Sequence, residues 1–345
     1  MAKIAFFDIE PWEQAHLRNK LKRHELYFFP GKIQDSELGK ASKADAIASF
    51  IFSPIDSATL KRFPQAKLVS TMSTGFDHVD LKACKKAGVT VCNVPAYGDN
   101  TVAEHAFALL LAIARKLPES VDRTRRGGFS LEGLRGFDLK GKTIGIVGTG
   151  KIGRHAARIA HGFQMRVLAY DPCPDRSLEA ELGLRYVTLN KLLSESDIVS
   201  LHAPLTPQTH HMIGANSLKR TKHGMVLINT SRGGLIDTRA LLRGLENGNV
   251  GYAGLDVLEE EGFIREEKEL LTSHHHAKRH DFETALENHA LLSHPAVIVT
   301  PHTAFNSQEA LERILDTTAQ NIEAFLAGKP VNVVGALTPT MSKTR

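Results

Sequence analysis

Three polar segments in the second half of the chain carry side chains that could act in one reaction. Arg232 follows the apolar run of residues 225–231, a row of carboxylates ends the segment LDVLEEE at residues 255–261, and His302 follows residues 297–300. A guanidinium binds a carboxylate through two parallel hydrogen bonds, and an imidazole transfers a proton near neutral pH. A carboxylate on the far ring nitrogen orients that imidazole and raises its pKa. This set suits oxidation of a 2-hydroxy acid beside a hydride acceptor.

The segment GTGKIG, residues 148–153, predicts where such an acceptor binds. It stands between an apolar run of strand length and a helical pattern that continues through Ile159. In this pattern the first glycine makes a tight turn, the second lets the backbone approach a pyrophosphate, and the third lets the helix pack on its strand. Glycine-rich turns also occur by chance, but the strand before and the helix after favour a dinucleotide site. Cofactor contacts are therefore expected from Gly148, Thr149, Gly150, Lys151, Ile152 and Gly153.

An acidic residue about 20 positions further on favours one form of the dinucleotide. Asp171 closes the next apolar run. Its carboxylate would accept hydrogen bonds from both hydroxyls of the adenosine ribose and would repel a 2′-phosphate, so NAD is favoured over NADP. Arg176 lies close enough in sequence to weaken this preference.

Each of these residues, taken alone, also has an ordinary structural interpretation. A strand-end arginine is more often part of a surface ion pair, and a strand-end histidine is often a helix cap. The stretch of residues 262–292 is rich in histidine, including His274, His275 and His276, and imidazoles attract zinc and copper. Because adjacent histidines on a loop seldom converge into a tetrahedral site, we predict a solvated insertion of mixed charge and no metal.

Strands that alternate with helices predict the sheets that position these groups. The first hundred residues contain short apolar runs separated by helical stretches, which implies a parallel sheet covered on both faces. A helical pattern at residues 100–116 leads into a second such unit that begins with the glycine segment, and a last helix at residues 308–327 is expected to cross back. We therefore predict an α/β fold with two doubly wound parallel-sheet domains. They are a flavodoxin-like substrate domain of residues 1–99 plus 304–345, and a Rossmann NAD-binding domain of residues 100–303.

Composition narrows the class of protein further. Of the 345 residues, 42% are hydrophobic and 23% are charged, which is ordinary for a soluble globular protein. The formal net charge is +5, but basic residues are scattered among acids, and no nucleic-acid partner is expected. The three cysteines have no ligand-like spacing, and neither a secretory leader nor a run long enough to cross a bilayer is visible. These features predict a cytoplasmic protein that does not bind membranes.

Several ordered segments resemble the D-isomer-specific 2-hydroxyacid dehydrogenases, and within that family most closely the NAD-dependent D-lactate dehydrogenases. The resemblance extends over residues 3–334. It is carried by the segments STGFDHVDL (73–81), NVPAYGDNTVAEHAFALLL (93–111), LKGKTIGIVGTGKIG (139–153), SLHAPLTPQTHHMI (200–213), MVLINTSRGGLID (225–237), GLDVLEEE (254–261) and TPHTAF (300–305).

The resemblance implies a role for individual residues. Arg232 matches the substrate-binding arginine, His302 the acid/base, and Glu261 its partner carboxylate, since the family's glutamate stands five residues after the aspartate that corresponds to Asp256. Substrate contacts are implied for the backbone around Ser73, Thr74 and Gly75 and for Tyr97, and Phe305 is expected to pack against a small substrate group. Further cofactor contacts are implied for Thr101, His202, Ala203, Pro204, Thr209, Thr230, Ser231, Arg232, Asp256, His302 and Ala304. The family also implies a cleft that closes over the ligands and a homodimer formed mainly by cofactor domains.

The expected reaction is the reversible reduction of pyruvate to D-lactate with NAD. Alternatives within the family are a glyoxylate or hydroxypyruvate reductase and a 3-phosphoglycerate dehydrogenase. A phosphorylated substrate would need extra cations near residues 50–54 and Tyr97, where the sequence is mostly apolar and aromatic. An alternative from another class is a corepressor that uses the same cofactor domain as a switch, although no disordered regulatory extension is visible here.

Overall fold

The chain folds into two compact units in the computed structural model, which describes residues 1–259 and 279–335. The first unit contains Met1–Tyr97 and the chain from Ser307 onward, and the second contains Gly98–Asn306. The domain limits expected from the sequence, at residues 99/100 and 303/304, stay a prediction.

The first unit is built on a parallel sheet with five strands among the described residues. The strands are β1 (Lys3–Phe6), β2 (Glu25–Phe28), β3 (Ala46–Ser49), β4 (Leu68–Thr71) and β5 (Thr90–Cys92). They lie in the order β2-β1-β3-β4-β5, the order of flavodoxin-like sheets. Every residue of β3 and β4 is buried, as expected for strands covered by helices on both faces.

The helices of this unit begin and end where side chains satisfy the backbone. They are α1 (Pro11–Lys20), α2 (Ser57–Lys61), α3 (Leu81–Ala87) and, near the end of the chain, α12 (Gln308–Leu326). Helix α3 begins at Leu81 because the Asp80 carboxylate accepts hydrogen bonds from the amides of Lys82 and Ala83, which fixes Asp80 as the N-cap. It ends at Gly88, whose φ of 68° is the left-handed conformation that glycine adopts without strain.

The second unit is built on a parallel sheet with seven strands among the described residues, in the order β12-β11-β10-β9-β6-β7-β8. The strands are β6 (Thr143–Val147), β7 (Arg166–Tyr170), β8 (Leu184–Tyr186), β9 (Ile198–Leu201), β10 (Met225–Asn229), β11 (Val250–Leu255) and β12 (Val297–Val299). The direction of winding reverses between β6 and β9, which is the Rossmann arrangement. The two sheet orders confirm the predicted fold class.

Helices cover both faces of this second sheet. They are α4 (Asp99–Ala114), α5 (Leu117–Arg125), α6 (Lys151–Gly162), α7 (Ser177–Leu182), α8 (Leu189–Glu195), α9 (Ala215–Leu218), α10 (Thr238–Glu246) and α11 (Arg279–Ser293). Phe107 and Leu110 of α4 pack with Ala156 and Ala160 of α6 in one buried cluster over the sheet. Among the described residues, no helix has the length and apolar composition to cross a membrane.

Helix α11 was not predicted from the sequence. It occupies part of the stretch that was expected to be a solvated insertion, and Thr284, Asn288 and Leu291 are buried along one side of it. Their spacing of four and three residues is that of a helix face, but only Leu291 is apolar, so the pattern was inconspicuous. His274, His275 and His276 lie outside the described residues.

Candidate active site

Six neighbouring strands of the second sheet each lead directly into a predicted site residue. Each of these residues stands within three positions of the end of its strand. Because neighbouring strands are parallel, their carboxyl ends lie at one edge of the sheet, and ligands of such sheets gather there. From β12 to β7 in sheet order, this edge carries His302, Asp256, Arg232, His202, the turn beginning at Gly148, and Asp171.

Backbone hydrogen bonds continue past the strand ends and hold three of these segments side by side. The Asp256 amide donates to the Asn229 carbonyl at 2.9 Å, and the His302 amide donates to the Asp256 carbonyl at 2.9 Å. The Asn229 side-chain amide donates to the Arg232 carbonyl at 2.9 Å. The segments that carry arginine, aspartate and histidine are therefore in direct contact.

The glycine turn has the local geometry that a pyrophosphate requires. Gly148 has a φ of 93°, and a Cβ there would lie 2.6 Å from the His202 carbonyl oxygen. A Cβ on Gly153 would lie 2.0 Å from the Gly148 carbonyl oxygen, so helix and turn approach too closely for any larger residue. A Cβ on Gly150 would meet no described atom within 4 Å, which leaves space in front of the first N–H groups of α6, among them those of Lys151 and Ile152.

Asp171 is held against this turn by three hydrogen bonds. One carboxylate oxygen accepts from the Thr149 amide at 2.8 Å and from its hydroxyl at 3.1 Å, and the other accepts from the Cys173 amide at 2.9 Å. The Thr149 hydroxyl also contacts the Tyr186 hydroxyl at 2.8 Å, a partner that the sequence did not suggest. Arg176 pairs with Glu179 at 3.0 Å, so a carboxylate neutralises the charge that was expected to weaken a preference for NAD.

Two buried polar atoms beside the turn support the presence of a ligand site. Burial lowers the pKa of His202 to about 4, so its ring is neutral at physiological pH. One ring nitrogen of His202 contacts the Ser200 hydroxyl at 2.9 Å, whereas Nδ1 has no hydrogen-bond partner among the described residues. The buried Thr230 hydroxyl likewise has no partner there. Buried polar groups are almost always paired, so both atoms fit a site whose remaining partner is a bound ligand.

The other predicted cofactor residues lie in the same unit, in the segments that follow β9 and β10 and at the start of α4. The Thr209 hydroxyl donates to the Pro204 carbonyl at 2.6 Å and fixes the loop that follows β9. Ala203 in this loop is buried, as is Thr101 in the first turn of α4. The Ser231 hydroxyl donates to the Leu201 carbonyl at 2.9 Å and joins the ends of β9 and β10.

Asp256 is the most enclosed charged group at this edge, with 1% of its surface exposed. Its oxygens accept hydrogen bonds from the Thr300 hydroxyl at 2.5 Å, the Thr303 amide at 2.9 Å and the Ala304 amide at 2.8 Å. His105 of α4 contributes a further contact at 3.3 Å. Burial by itself would raise the pKa of Asp256, but hydrogen bonds from His105, Thr300, Ala304 and Thr303 outweigh burial and lower it. Asp256 therefore holds the loop that carries His302, whereas its contact with a cofactor stays a prediction.

His302 stands on this loop in a constrained conformation. Its φ is 55°, a left-handed value that residues other than glycine rarely adopt. Its ring lies 6.4 Å from the Phe305 ring in an edge-on arrangement. The contacts of Asp256 with residues 300, 303 and 304 fix the loop on both sides of the histidine, so the fold holds the backbone from which the imidazole projects.

Arg232 follows β10 in extended conformation and is half-buried. One of its guanidinium nitrogens donates to the Ser231 carbonyl at 2.8 Å. The next residue, Gly233, packs so closely on the backbone of Leu258 that a Cβ would lie 2.0 Å from its carbonyl carbon and oxygen. This close approach explains the glycine after the arginine, and it brings the Arg232 loop against the segment that leads to the predicted catalytic glutamate.

The predicted catalytic glutamate, Glu261, lies outside the described residues. Glu259, two residues earlier, is described, and both of its carboxylate oxygens have hydrogen-bond partners. One oxygen of Glu259 contacts His211 Nε2 at 2.5 Å, and the other accepts from the Thr238 hydroxyl at 2.9 Å. The side-chain amide of Asn288 donates to the Glu259 carbonyl at 2.7 Å. These contacts give Glu259 a structural role, and the assignment of the catalytic role to Glu261 stays a prediction.

The predicted substrate residues Ser73, Thr74 and Gly75 of the first unit also stand shortly after the end of a strand, β4. The Ser73 hydroxyl donates to the Gly75 carbonyl at 2.6 Å, and the Thr74 hydroxyl donates to the Val94 carbonyl at 2.7 Å. The backbone amides of Ser73, Thr74 and Gly75 have no acceptor among the described residues, so this loop after β4 offers donors to an anion. The Tyr97 carbonyl accepts from Arg313 Nε at 2.6 Å.

Comparison with known proteins agrees with this geometry. Residues 107–304 match the family described as D-isomer specific 2-hydroxyacid dehydrogenase, NAD binding domain. The chain is 36% identical over 331 residues to the D-lactate dehydrogenase of Escherichia coli, covering 95% of this chain and 98% of that one. It is 39% identical over 300 residues to the glyoxylate reductase of Korarchaeum cryptofilum, covering 86% and 84%.

A solved structure extends the comparison to three dimensions. The D-lactate dehydrogenase of Aquifex aeolicus, solved with NAD and lactic acid, is 34% identical, covers 94% of this chain and 96% of its own, and superposes with a TM-score of 0.82. The family resemblance and the NAD cofactor expected from the sequence are therefore confirmed. The names of the relatives differ in substrate, so they do not choose among the 2-hydroxy acids.

Proposed function

The chain belongs to the D-isomer-specific 2-hydroxyacid dehydrogenases, an NAD-binding family of oxidoreductases, and we propose that it interconverts pyruvate and D-lactate. The observation that carries this proposal is the single edge where His302, Asp256 and Arg232 follow adjacent strands beside the glycine turn. That edge supplies an acid/base and an anion-binding group next to a dinucleotide site, as reduction of a 2-keto acid requires.

Each side chain has a distinct role in the proposed reaction. When bound, NAD would accept a hydride from the hydroxy acid or, in its reduced form, donate one to the keto acid. The Arg232 guanidinium binds the substrate carboxylate and polarises the neighbouring oxygen. The His302 imidazole gives a proton to the keto oxygen during reduction and takes it back during oxidation. Glu261 is proposed to pair with the protonated ring and so stabilise the imidazolium that reduction consumes.

In the first unit, the amides of Ser73, Thr74 and Gly75 are proposed to donate to the substrate carboxylate. The side chains near them favour a small, uncharged substituent on the substrate. Phe50 and Phe52 stack edge-on with ring centroids 5.2 Å apart. Asp8 accepts a hydrogen bond from the Phe50 backbone, and when it is ionised its carboxylate offsets the charge of nearby Lys32. These features support pyruvate over a phosphorylated substrate, and Phe305 in the second unit is proposed to contact the methyl group.

A preference for NAD over NADP rests on Asp171. Its carboxylate is fixed at the glycine turn, where the adenosine ribose of a bound dinucleotide lies in Rossmann folds. A 2′-phosphate there would face this negative charge, and the nearby cation, Arg176, is paired with Glu179. We expect a higher kcat/KM with NADH than with NADPH.

A homodimer is proposed from the surface of the second unit. Leu117 and Val121 are exposed on α5, and Phe129 and Leu131 shortly after it are each 83% exposed. Concentrated apolar exposure of this kind commonly marks a protein interface. Sedimentation of the purified chain tests this, and a monomer at micromolar concentration would contradict it.

A panel of keto acids tests the substrate assignment. Initial rates are measured with pyruvate, glyoxylate, hydroxypyruvate, phenylpyruvate and 3-phosphohydroxypyruvate, each with NADH and NADPH, and the configuration of the product is determined. We expect the highest kcat/KM with pyruvate and NADH, giving D-lactate. A hydrophobic pocket separates substrates that differ by one carbon by only about 1–3 kcal/mol, so weaker activity on larger keto acids is also expected.

Glyoxylate reductase is the second candidate, because a relative of that name is 39% identical. Glyoxylate lacks the methyl group of pyruvate, so a pocket that prefers it must be smaller near Phe305. A kcat/KM for glyoxylate above that for pyruvate would replace the first assignment with this one. Absence of turnover with every keto acid in the panel, together with retained NADH binding, would favour a binding protein of the corepressor kind.

A further inference from the structure

We propose that His210, His211 and Glu259 form a binding site for a transition-metal ion such as Zn²⁺. Their ligating atoms, one on each side chain, all lie within 4.8 Å of one another. The three residues, called here the histidine–glutamate cluster, do not include any histidine of residues 262–292, for which no metal is predicted. This proposal does not depend on the identity of the substrate.

The backbone at His211 is what brings the two imidazoles together. Successive side chains of an extended chain point to opposite sides. His211 instead has a φ of 52°, in the left-handed region that β-carbon sterics disfavour. As a result the two rings stack, with centroids 3.8 Å apart. Hydrogen bonds from the His210 amide to the Thr206 carbonyl at 2.9 Å and from the His211 amide to the Gly234 carbonyl at 2.8 Å maintain this conformation.

The carboxylate is oriented toward the rings by a separate contact. Glu259 presents one oxygen to His211 Nε2 at 2.5 Å, while its second oxygen accepts from the Thr238 hydroxyl at 2.9 Å. Outer contacts of this kind fix ligand orientation at metal sites. A tetrahedral Zn²⁺ with bonds of about 2.0–2.1 Å needs its ligand atoms about 3.3 Å apart. Small side-chain rotations would open the His211–Glu259 contact and draw His210 inward.

The donor set selects the class of ion. Two imidazoles and one carboxylate suit Zn²⁺, Cu²⁺ and Ni²⁺, whereas Mg²⁺ and Ca²⁺ prefer oxygen ligands alone. His210 is exposed, so the ion can enter from solvent and keep a water molecule in a fourth position.

A structural role explains only two of the three residues. The hydrogen bond between His211 and Glu259 would anchor the segment after β11 without any metal. His210 takes no part in that bond, and its ring lies against His211 and Gly234 at the surface. The histidine–glutamate cluster therefore predicts that removal of His210 affects metal binding while leaving stability and turnover almost unchanged.

Zinc titration of the tag-free, full-length chain against a chromophoric chelator tests the site. Wild type is expected to bind one tight equivalent. His210→Ala and Glu259→Gln are expected to weaken this equivalent at least about tenfold, because even indirect partners of metal ligands change affinity by that factor. Substitution of His274, His275 and His276 together by alanine is the matched control and is expected to retain it. Cobalt titration should give the visible absorption of a tetrahedral site in wild type and not in His210→Ala.

Two results would overturn the proposal: tight zinc binding that survives His210→Ala, or tight binding that disappears in the His274/His275/His276 variant. Magnesium is expected not to compete with zinc, and effective competition would also count against this donor set. If Glu259→Gln does not fold, the His210→Ala variant alone tests the proposal. Because His210 is exposed, the thermal unfolding midpoint of this variant is expected to equal that of wild type.

Discussion

The two parallel sheets of this chain present different chemistry at their carboxyl ends. The edge of the second sheet carries Arg232, His302 and Asp256, which are ionisable groups held by hydrogen bonds between neighbouring strand ends. The edge of the first sheet carries hydroxyls, aromatic rings, the amides around Thr74 and the single carboxyl group of Asp8 after β1. Since both sheets obey the same rule for where ligands gather, the difference fits our proposal that one edge transfers a proton while the other binds an anion and a small apolar group.

Two aspartates, the buried Asp256 and the half-buried Asp8, make this contrast measurable. Asp256 in the second unit has several hydrogen-bond donors, and these lower its pKa although burial acts in the opposite direction. Asp8 in the first unit follows β1, and burial raises its pKa despite hydrogen bonds from Ser53 and the Phe50 backbone and the nearby Lys32. Burial therefore raises the pKa of both carboxyl groups, and the net direction depends on how far hydrogen-bond donors and nearby charges offset it, with Asp35 adding to the rise at Asp8.

The largest effect is expected from removing the proton donor of the second edge. His302→Asn keeps a residue that tolerates the left-handed backbone but cannot transfer a proton. We expect kcat for pyruvate reduction to fall by a factor of about 10² to 10⁴, the usual contribution of general acid–base catalysis. NADH affinity, followed by the fluorescence of the bound nucleotide, should stay near that of wild type. Loss of NADH binding would instead mean that the loop of residues 300–304 serves the cofactor alone.

Arg232→Lys tests whether the edge needs a planar, two-pronged donor. A lysine keeps the charge but gives up the parallel hydrogen bonds, and we expect a loss of about 2–5 kcal/mol, roughly thirty-fold to several thousand-fold in kcat/KM. Arg313→Lys in the first unit is a matched control and should change kcat/KM much less, because Arg313 contacts a backbone carbonyl. Near-normal kinetics in Arg232→Lys would remove the arginine from its proposed role.

The fold and much of this edge could be predicted from the sequence because the signals are local. Gly148 and Gly153 stand where a Cβ would collide with the backbone, and Gly150 leaves open space in front of the start of α6. The strand-end positions of Arg232 and His302 follow from apolar runs that stop just before them. Residues that act through the fold could not be found in this way. His105 and Asn229 both lie far in sequence from Asp256, which they contact through its carboxylate and its amide, and only the fold brings them together.

Asp256→Asn tests the hydrogen bonds that hold the loop of residues 300–304. Its expected effect is on stability, and it is smaller in free energy than the largest catalytic losses above. The new amide can accept at one end only, so at least one of the Thr303 and Ala304 amides loses its acceptor. A cost of about 2–3 kcal/mol in the free energy of unfolding is expected, as for buried hydrogen bonds to a charged group. Because the folded pKa lies below the unfolded one, wild type keeps this advantage above the unfolded pKa and loses it as the pH falls through the folded value.

Urea unfolding from pH 7 down to pH 3 measures this dependence. The difference between wild type and Asp256→Asn should be greatest at pH 7 and should narrow toward the acid end. Asp138→Asn, which changes an exposed carboxylate, is the control and should alter stability little at any pH. A pH-independent difference would show that shape, not charge, accounts for the role of Asp256.

The smallest effect, and the opposite sign, is expected from Asp8→Asn. Since burial raises the folded pKa of Asp8, wild type is favoured below the unfolded pKa and loses that contribution as the pH rises through the folded value. The neutral amide should therefore stabilise the chain at pH 7, by less than Asp256→Asn destabilises it, and the gain should vanish in acid. Asparagine tolerates the φ of 59° at this position, so backbone strain does not mask the result. Destabilisation at pH 7 would mean that the ionised carboxylate has donors enough, and the contrast between the two edges would be lost.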